Sequence, residues 1–408
     1  MNYKLTLLSV LMLSMGSVAC HASDSQKSNP EKSASAGAQD PSLASSASHR
    51  IQQRYQIEKM AQFNEPWAMA SLPNGQLLVT ERKGTLRLFD PSTKKLTRIE
   101  GVPTVAYGGQ GGLGDIAVHP DFDQNRWVYF SYAEKGQGGT GAVVARAELD
   151  LTQRNKPQLR KIQRIWEQVP KVSGQGHYSH RIVFDDQAKL WISSGERQQF
   201  DPAQDMKSNL GKILHLNADG TPAQDNPFYK QGGVTAQIWS LGHRNPLGLA
   251  FDANNKLWVV EMGPKGGDEL NLVEKAGNYG YPIVSNGDHY DGKAIPDHDT
   301  RPEFKAPALH WTPVISPSSL MVYQADQFPL WKNKALIRGL SDDCGHISVG
   351  LRLGVAGRRE SKGGVARKAH HGHWRRLVPS VPWRRLVLAA HRRSAGRAAP
   401  ESAHEEVS

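Results

Sequence analysis

Two stretches, His180–Glu196 "HRIVFDDQAKLWISSGE" and Leu247–Gly263 "LGLAFDANNKLWVVEMG", follow one plan. Each has an apolar run, an Asp-containing turn, Lys-Leu-Trp, a second apolar run and a Glu. Pro66–Gly84 "PWAMASLPNGQLLVTERKG" and Gly114–Glu134 "GDIAVHPDFDQNRWVYFSYAE" are looser copies. Two apolar runs around a polar turn read as an antiparallel hairpin. The copies recur at roughly 50 to 70 residues, near the upper end of known repeat periods. Hairpins repeated at that spacing predict the blades of a β-propeller; a β-sandwich is the alternative, but it does not predict the repetition. "GQLLVTERKGTLRLFD" reads as a further hairpin, "NRWVYFSYAE" and "GAVVARAELD" as a strand pair, and no segment carries a long amphipathic helix. The expected fold class is all-β.

The chain has 408 residues, with 39 Gly, 24 Pro and 10 Trp, a composition that suits a loop-rich β-protein. "MNYKLTLLSVLMLSMGSVAC" has a Lys, an apolar run too short to span a bilayer and small residues before Cys20, the pattern of a secretory signal. Ser17–Cys20 resembles a lipoprotein cleavage site with Cys20 as the lipid-bearing residue, although Ser17 departs from the usual aliphatic residue. Ordinary cleavage after Ala19 or Ala22 is the alternative. Both readings predict export to the periplasm. Cys344 is the one other cysteine, so acylation or removal of Cys20 leaves no intramolecular disulfide. The expected organisation is a signal at 1–20, a Ser-, Ala- and Lys-rich tether at 21–50, a propeller at 51–343 and a basic segment at 344–408.

Four stretches carry candidate chemistry. "GGQGGLGDIAVHPDF" (Gly108–Phe122) surrounds Gln110 with glycines, which permit a tight turn or close approach of a flat ligand; it lacks the Gly-Lys-Ser/Thr ending of a phosphate loop. "GQGHYSHRIVF" (Gly174–Phe184) sets His177 and His180 before a strand. Two loop histidines without a third nearby ligand make a poor metal site, and either a solvated residue or a general base fits better. "LGHRNPLGLAF" (Leu241–Phe251) places Arg244-Asn245 at a strand entrance, either as an exposed turn or as a fork for carboxylate or quinone oxygens. "EMGPKGGDELN" (Glu261–Asn271) is either a turn or a loop whose carbonyls face a cation.

Taken in order, these stretches with "DNPF" (Asp225–Phe228) and "GNYGYP" (Gly277–Pro282) resemble the glucose/sorbosone dehydrogenase family, and within it the soluble aldose sugar dehydrogenases, over about residues 63–340. The resemblance implies a six-bladed propeller that uses pyrroloquinoline quinone (PQQ) and calcium. It implies His177 as catalytic base, and Arg244 and Asn245 as contacts to cofactor and substrate. Gln110 falls at the sugar pocket. Gly263 and Pro264 fall where backbone carbonyls hold the active-site calcium, and Glu269 and Tyr279 where a second, structural calcium is held. The implied reaction oxidises an aldose at its anomeric carbon to a lactone and passes electrons to an external acceptor. Haem motifs and dinucleotide fingerprints are absent from the sequence. Met262 and Gly176 depart from the family, which carries Gln or His at the first position and often Asp or Asn at the second.

The resemblance stops near Cys344. From Gly345 onward there is no Asp, Asn, Gln, Thr, Phe or Tyr, and eleven Arg and two Lys face four Glu, so this segment holds +9 of the total +11. The rest of the chain is nearly neutral, which removes the argument for a nucleic-acid partner. The segment shows neither strand alternation nor a sustained helical face, and its missing residue types are those of A- and T-rich codons. It reads as an out-of-frame tail; a basic tail and a divergent last blade are the alternatives. The expected ring therefore has its last blade missing or disrupted. A non-catalytic carbohydrate- or protein-binding propeller and a calcium-dependent lactonase are the competing functions.

Overall fold

The computed structural model describes residues 58–153 and 155–340, together with the backbone of a short strand at Leu351–Arg352. The signal, the tether, Cys20 and nearly all of 344–408 lie outside the described residues.

The first sheet comprises β1 (Pro66–Ser71), β2 (Leu77–Glu81), β3 (Thr85–Asp90) and β4 (Lys95–Ile99). The second comprises β5 (Leu113–Val118), β6 (Trp127–Gly136), β7 (Gly139–Asp150) and β8 (Gln158–Glu167), with a one-turn α1 (Phe122–Asn125) between its first two strands. The third comprises β9 (Ser179–Phe184), β10 (Leu190–Ser194), β11 (Lys212–Leu216) and β12 (Ile238–Leu241). Then follow β13 (Pro246–Phe251), β14 (Leu257–Glu261), β15 (Lys265–Gly266), β16 (Asp268–Leu272), β17 (Gly287–Asp288) and β18 (Leu309–Trp311). Of these, β13, β14, β16 and β18 form the fourth sheet, and β15 and β17 form a separate ribbon. A fifth sheet has three strands, β19 (Pro317–Tyr323), β20 (Lys334–Gly339) and β21 (Leu351–Arg352). Thus four complete four-stranded blades and part of a fifth are described, in a propeller arrangement.

The repeated sequence is a repeated physical unit. Asp185 Oδ1 accepts the backbone N–H groups of Gln187 at 2.9 Å and Lys189 at 2.8 Å, while its Oδ2 accepts the Trp191 indole N–H at 2.9 Å. Asp252 does the same with Asn254 at 2.8 Å, Lys256 at 3.0 Å and the Trp258 indole at 3.0 Å. One carboxylate therefore closes the turn and pins the next strand, as Asp does in Asx-turns.

Successive side chains on a strand face opposite sides. Phe130, Val143 and Ala145 pack between the first and second sheets, and their neighbours Tyr129 and Val144 between the second and third. Ile192 and Leu214 join that second layer, whereas Trp191 and Ile213 face the fourth sheet with Leu249 and Val259. Val260 and Leu270 meet Ile315 and Ile337 of the fifth. Every inner sheet is covered on both faces, so its central strands, such as β6, β10 and β14, are buried along most or all of their length instead of on alternate residues.

The first strands of the five sheets converge on Arg181 of β9. Its guanidinium lies 3.9 Å from the centre of the Trp67 ring of β1 and 3.4 Å from Asp115 Oδ1 of β5. It donates to Leu247 O of β13 at 2.6 Å and to Ser318 O of β19 at 2.7 Å.

Candidate active site

Gln110, His177 and Arg244-Asn245 each stand one to three residues before the first strand of a successive blade, β5, β9 and β13. The neighbouring second strand of each blade runs antiparallel and ends at the same edge: Ser179 pairs with Ser194, and Pro246 with Glu261. Residues just past those ends, Glu196 and Met262-Gly263, therefore meet the residues before the first strands. Equivalent positions on adjacent blades make the site.

His177 is buried. Its backbone N–H donates to Gln110 Oε1 at 2.7 Å, and its Nδ1 hydrogen-bonds Glu196 Oε1. Glu196 is held in turn by the Phe200 N–H at 2.8 Å. Burial raises the affinity of Glu196 for a proton, but the bond from His177, the Phe200 N–H and the Arg244 charge outweigh it and hold the carboxyl below its ordinary range. Burial, opposed by Glu196 and helped by the charges of Arg244 and Arg197, keeps the His177 imidazole below its ordinary range as well. An ionised carboxylate accepts only, so Nδ1 carries the proton and Nε2 keeps its lone pair. That is a neutral imidazole poised to accept a proton. Gly195 permits the approach of the two loops, since a Cβ there would meet His177 O at 2.1 Å.

His180 does not join His177. It is buried against Trp67, with ring centres 5.0 Å apart, and its Nδ1 faces Ser131 Oγ at 2.6 Å. The two histidines serve different parts of the fold, so they form no metal pair.

Arg244 is buried, and its Nη1 donates to Gly263 O at 2.6 Å and Met262 O at 3.1 Å. Its backbone N–H donates to Glu261 Oε2 at 2.7 Å, and its carbonyl accepts the Glu196 N–H at 2.9 Å. Among the described residues its buried Nε has no hydrogen-bond partner. Asn245 accepts from Ser179 Oγ at 2.9 Å and directs its amide at Met262 Sδ, 3.7 Å away, a weak acceptor. Gly263 N–H donates to Asp268 Oδ1 at 2.9 Å, and Asp268 Oδ2 accepts the Ile315 and Ser316 N–H groups, each at 2.7 Å. Asp268 thus fastens the Gly263-Pro264 loop to the fifth blade.

Arg244, Gly263, Glu269 and Tyr279 line one small cavity of about 10 Å³, together with Glu261 and Tyr281. Glu269 is held by Asn271 Nδ2 at 3.0 Å and His298 Nε2 at 3.3 Å. Tyr279 stacks on His243 with ring centres 4.6 Å apart, and burial pushes its phenol well above the ordinary range. Burial, opposed by Arg244, pushes the Tyr281 phenol up to about 12, so it remains a donor at any working pH. Beside this cavity a cleft of about 380 Å³ is lined by Met262, Gly263, Pro264, Tyr290 and Thr312. That volume lies in the range of small-molecule sites.

A flat anionic quinone fits these residues: the cleft borders Gly263-Pro264, and next to it Arg244 has an unpartnered, buried N–H. Among the described residues no group of three or more His, Cys, Asp or Glu is placed to hold a metal. A cation at this loop would rest on carbonyl oxygens, which suits calcium. Gly263 O has a second lone pair beyond the one used by Arg244.

Sequence reasoning placed Gln110, His177, Arg244, Asn245, Gly263, Pro264, Glu269 and Tyr279, and the structure gathers them at one edge of the second, third and fourth blades. It missed Glu196, Asp268 and Tyr281. Glu196 closes the first copy of the repeated stretch, but its counterpart in the second is Gly263, so the repeat did not single it out.

A sequence model of the glucose/sorbosone dehydrogenase family matches residues 63–350. The aldose sugar dehydrogenase YliI of Escherichia coli is 38% identical over 288 residues, which cover 68% of this chain and 76% of that protein. Quinoprotein glucose dehydrogenase B of Acinetobacter calcoaceticus is 32% identical over 251 residues, 55% of this chain and 52% of that protein. Among solved structures, the apo-form of the soluble Escherichia coli aldose sugar dehydrogenase superposes with a TM-score of 0.63 at 38% identity, over 68% of this chain and 80% of the other. The PQQ-bound aldose sugar dehydrogenase of Streptomyces coelicolor superposes with a TM-score of 0.58 at 30% identity, over 70% and 79%.

Proposed function

Since the chain belongs to the glucose/sorbosone dehydrogenase family, we propose that it is a PQQ- and calcium-dependent aldose dehydrogenase that oxidises the anomeric carbon to a lactone. The observation that carries this reading is the His177–Glu196 pair beside Arg244 and the Gly263-Pro264 loop. When bound, PQQ supplies the two-electron acceptor and calcium a Lewis acid. Gly263 and Pro264 would hold the calcium through carbonyls, and Arg244 and Asn245 would contact the quinone. His177 Nε2 accepts the proton of the anomeric hydroxyl. Glu196 fixes the tautomer and stabilises the imidazolium that forms. Arg244 presents a rigid charge to oxygen atoms that become negative. Gln110, held at the His177 backbone, would face the sugar. The two electrons leave to an external acceptor.

The reading extends to a six-bladed ring, to a structural calcium near Glu269 and Tyr279, and to export with Cys20 as a lipid anchor. It also takes 344–408 as an out-of-frame tail that interrupts the last blade. The test is dye reduction by the purified chain with glucose, with and without added PQQ and calcium. Activity that requires both supports the reading. Silence that persists after the reading frame is restored near Cys344 overturns it in favour of a binding propeller.

A further inference from the structure

The peptide joining Gly176 to His177 is gripped on both sides. Its N–H donates to Gln110 Oε1 at 2.7 Å, and its carbonyl accepts from Arg197 Nη1 at 2.8 Å. Arg197 Nη2 reaches further along the same loop, to Gly174 O at 2.9 Å, and across to Thr140 Oγ1 at 3.0 Å on the second blade. The guanidinium lies 3.7 Å from the centre of the Tyr178 ring, and the Tyr178 hydroxyl meets Thr140 Oγ1 at 2.7 Å. Arg197 is fully buried, yet no carboxylate lies within ion-pair distance of it among the described residues. Its planar fork is used on carbonyls.

The backbone it holds needs holding. His177, Ser179 and His180 have φ of 48°, 57° and 50°, in the left-handed region that costs non-glycine residues free energy. Such a run persists only where its surroundings over-determine it. Arg197 fixes the backbone of His177, and its neighbour in sequence, Glu196, fixes the ring.

We propose that Arg197 is a positioning residue for the proton acceptor: by clamping the Gly176–His177 peptide against the second blade, it keeps the His177 ring aligned with Glu196. This rests on His177 being the base, but on no bound group. A lysine at this position keeps the charge and loses the fork, so it cannot hold the two loop carbonyls and Thr140 in one plane.

The test uses the full chain, with ¹⁵N-labelled histidine, free of added cofactor. An imidazole Nδ1–H that donates to a buried carboxylate gives a protected, downfield NMR signal, assigned to His177 by its loss in His177→Gln. The His243 Nδ1–H, which faces Glu261 Oε1 at 2.8 Å in the next blade, is the internal control. In Arg197→Ala the His177 signal is expected to exchange with water at least about tenfold faster while the His243 signal persists. Methylguanidinium, a planar cation that fits the vacated slot, should restore it. An unchanged His177 signal in Arg197→Ala overturns the proposal. If Arg197→Ala loses both signals, Arg197→Lys decides: loss of the His177 signal alone upholds the clamp. A wild-type signal, or loss of both, refutes it. Because the readout needs neither sugar nor PQQ, its failure is distinct from failure of the dehydrogenase reading.

Discussion

Acid should unfold this protein through His180. Burial, with the nearby charges of Arg181 and Arg197 adding to it, pulls the His180 imidazole down to about 3. The geometry agrees. The Asp115 N–H donates to Ser131 Oγ at 2.8 Å, which leaves the Ser131 hydroxyl proton for His180 Nδ1 at 2.6 Å. The Gly114 backbone closes on the ring, so that a Cβ there would meet Cε1 at 1.9 Å. Among the described residues no carboxylate offsets a charge on this ring. In the unfolded chain the imidazole titrates near 6.5. Between about 6.5 and about 3 the folded state therefore binds fewer protons, and stability rises with pH. The stabilisation from a neutral His180 is complete above the unfolded value and drains away as the pH falls, by about 1.4 kcal/mol per unit. From pH 6 to pH 4.5 the loss is about 2 kcal/mol, a large fraction of a typical net stability. The assay is urea denaturation across that range, for the native chain and for His180→Asn, whose Oδ1 can still accept from Ser131. The substitution lowers stability at every pH, but its pH slope should be shallower by about one proton, roughly 1.4 kcal/mol per unit. His119 and His177 are depressed in both proteins and cancel. Equal slopes would refute the claim that His180 is buried neutral.

Other perturbations have defined outcomes. Arg181→Met leaves Asp115 buried without its partner and removes the bonds to the fourth and fifth blades; urea midpoints should report a loss of about 3–5 kcal/mol, partly recovered by Asp115→Asn. In an active enzyme, Glu196→Gln should lower kcat by about a hundredfold or more. The same change removes the one acidic influence that raises the His177 value, so the acid limb of the rate profile should move to lower pH. Gly263→Ala forces a Cβ to within 2.3 Å of the Gly266 and Gly267 carbonyls; calorimetric titration with PQQ and calcium should show binding weakened by about 1–3 kcal/mol.

The fold was legible where one chemical device repeats. The Asp that closes a turn and takes an indole N–H six residues later marks β9–β10 and β13–β14 in the sequence itself. The outer strands were not legible. β8 carries Arg160, Lys161 and Arg164, each paired to an acid, as a protected edge strand should; charged edges lack the apolar pattern that identifies a strand. The long-range uses of Arg181 and Arg197 were invisible for another reason. Both side chains act on backbone carbonyls, and a carbonyl has no letter in the sequence. The same holds for Asp268, whose three acceptor bonds go to backbone N–H groups.

A comparison of two His–Glu pairs supports the proposal that His177, and not His243, is the base. The third and fourth blades each pair a histidine before the first strand with a glutamate at or just past the end of the second: His177 with Glu196, two residues beyond β10, and His243 with Glu261, the last residue of β14. In both, the carboxylate takes Nδ1, and the dyads look interchangeable at that level. They differ at the far nitrogen. His243 Nε2 meets Ser240 Oγ at 2.9 Å, and its ring is sealed beneath Tyr279. Glu261 is further engaged by the Arg244 N–H and by Asn271 at 3.1 Å. That dyad is saturated and holds the loop of Arg244 in place. Among the described residues His177 has no such partner at Nε2, and its loop borders Gln110 and Arg244. A His–Glu pair is thus a closed strut in the fourth blade and, on the proposed reading, a proton acceptor in the third. The difference lies in whether a neighbouring hydroxyl closes the second ring nitrogen.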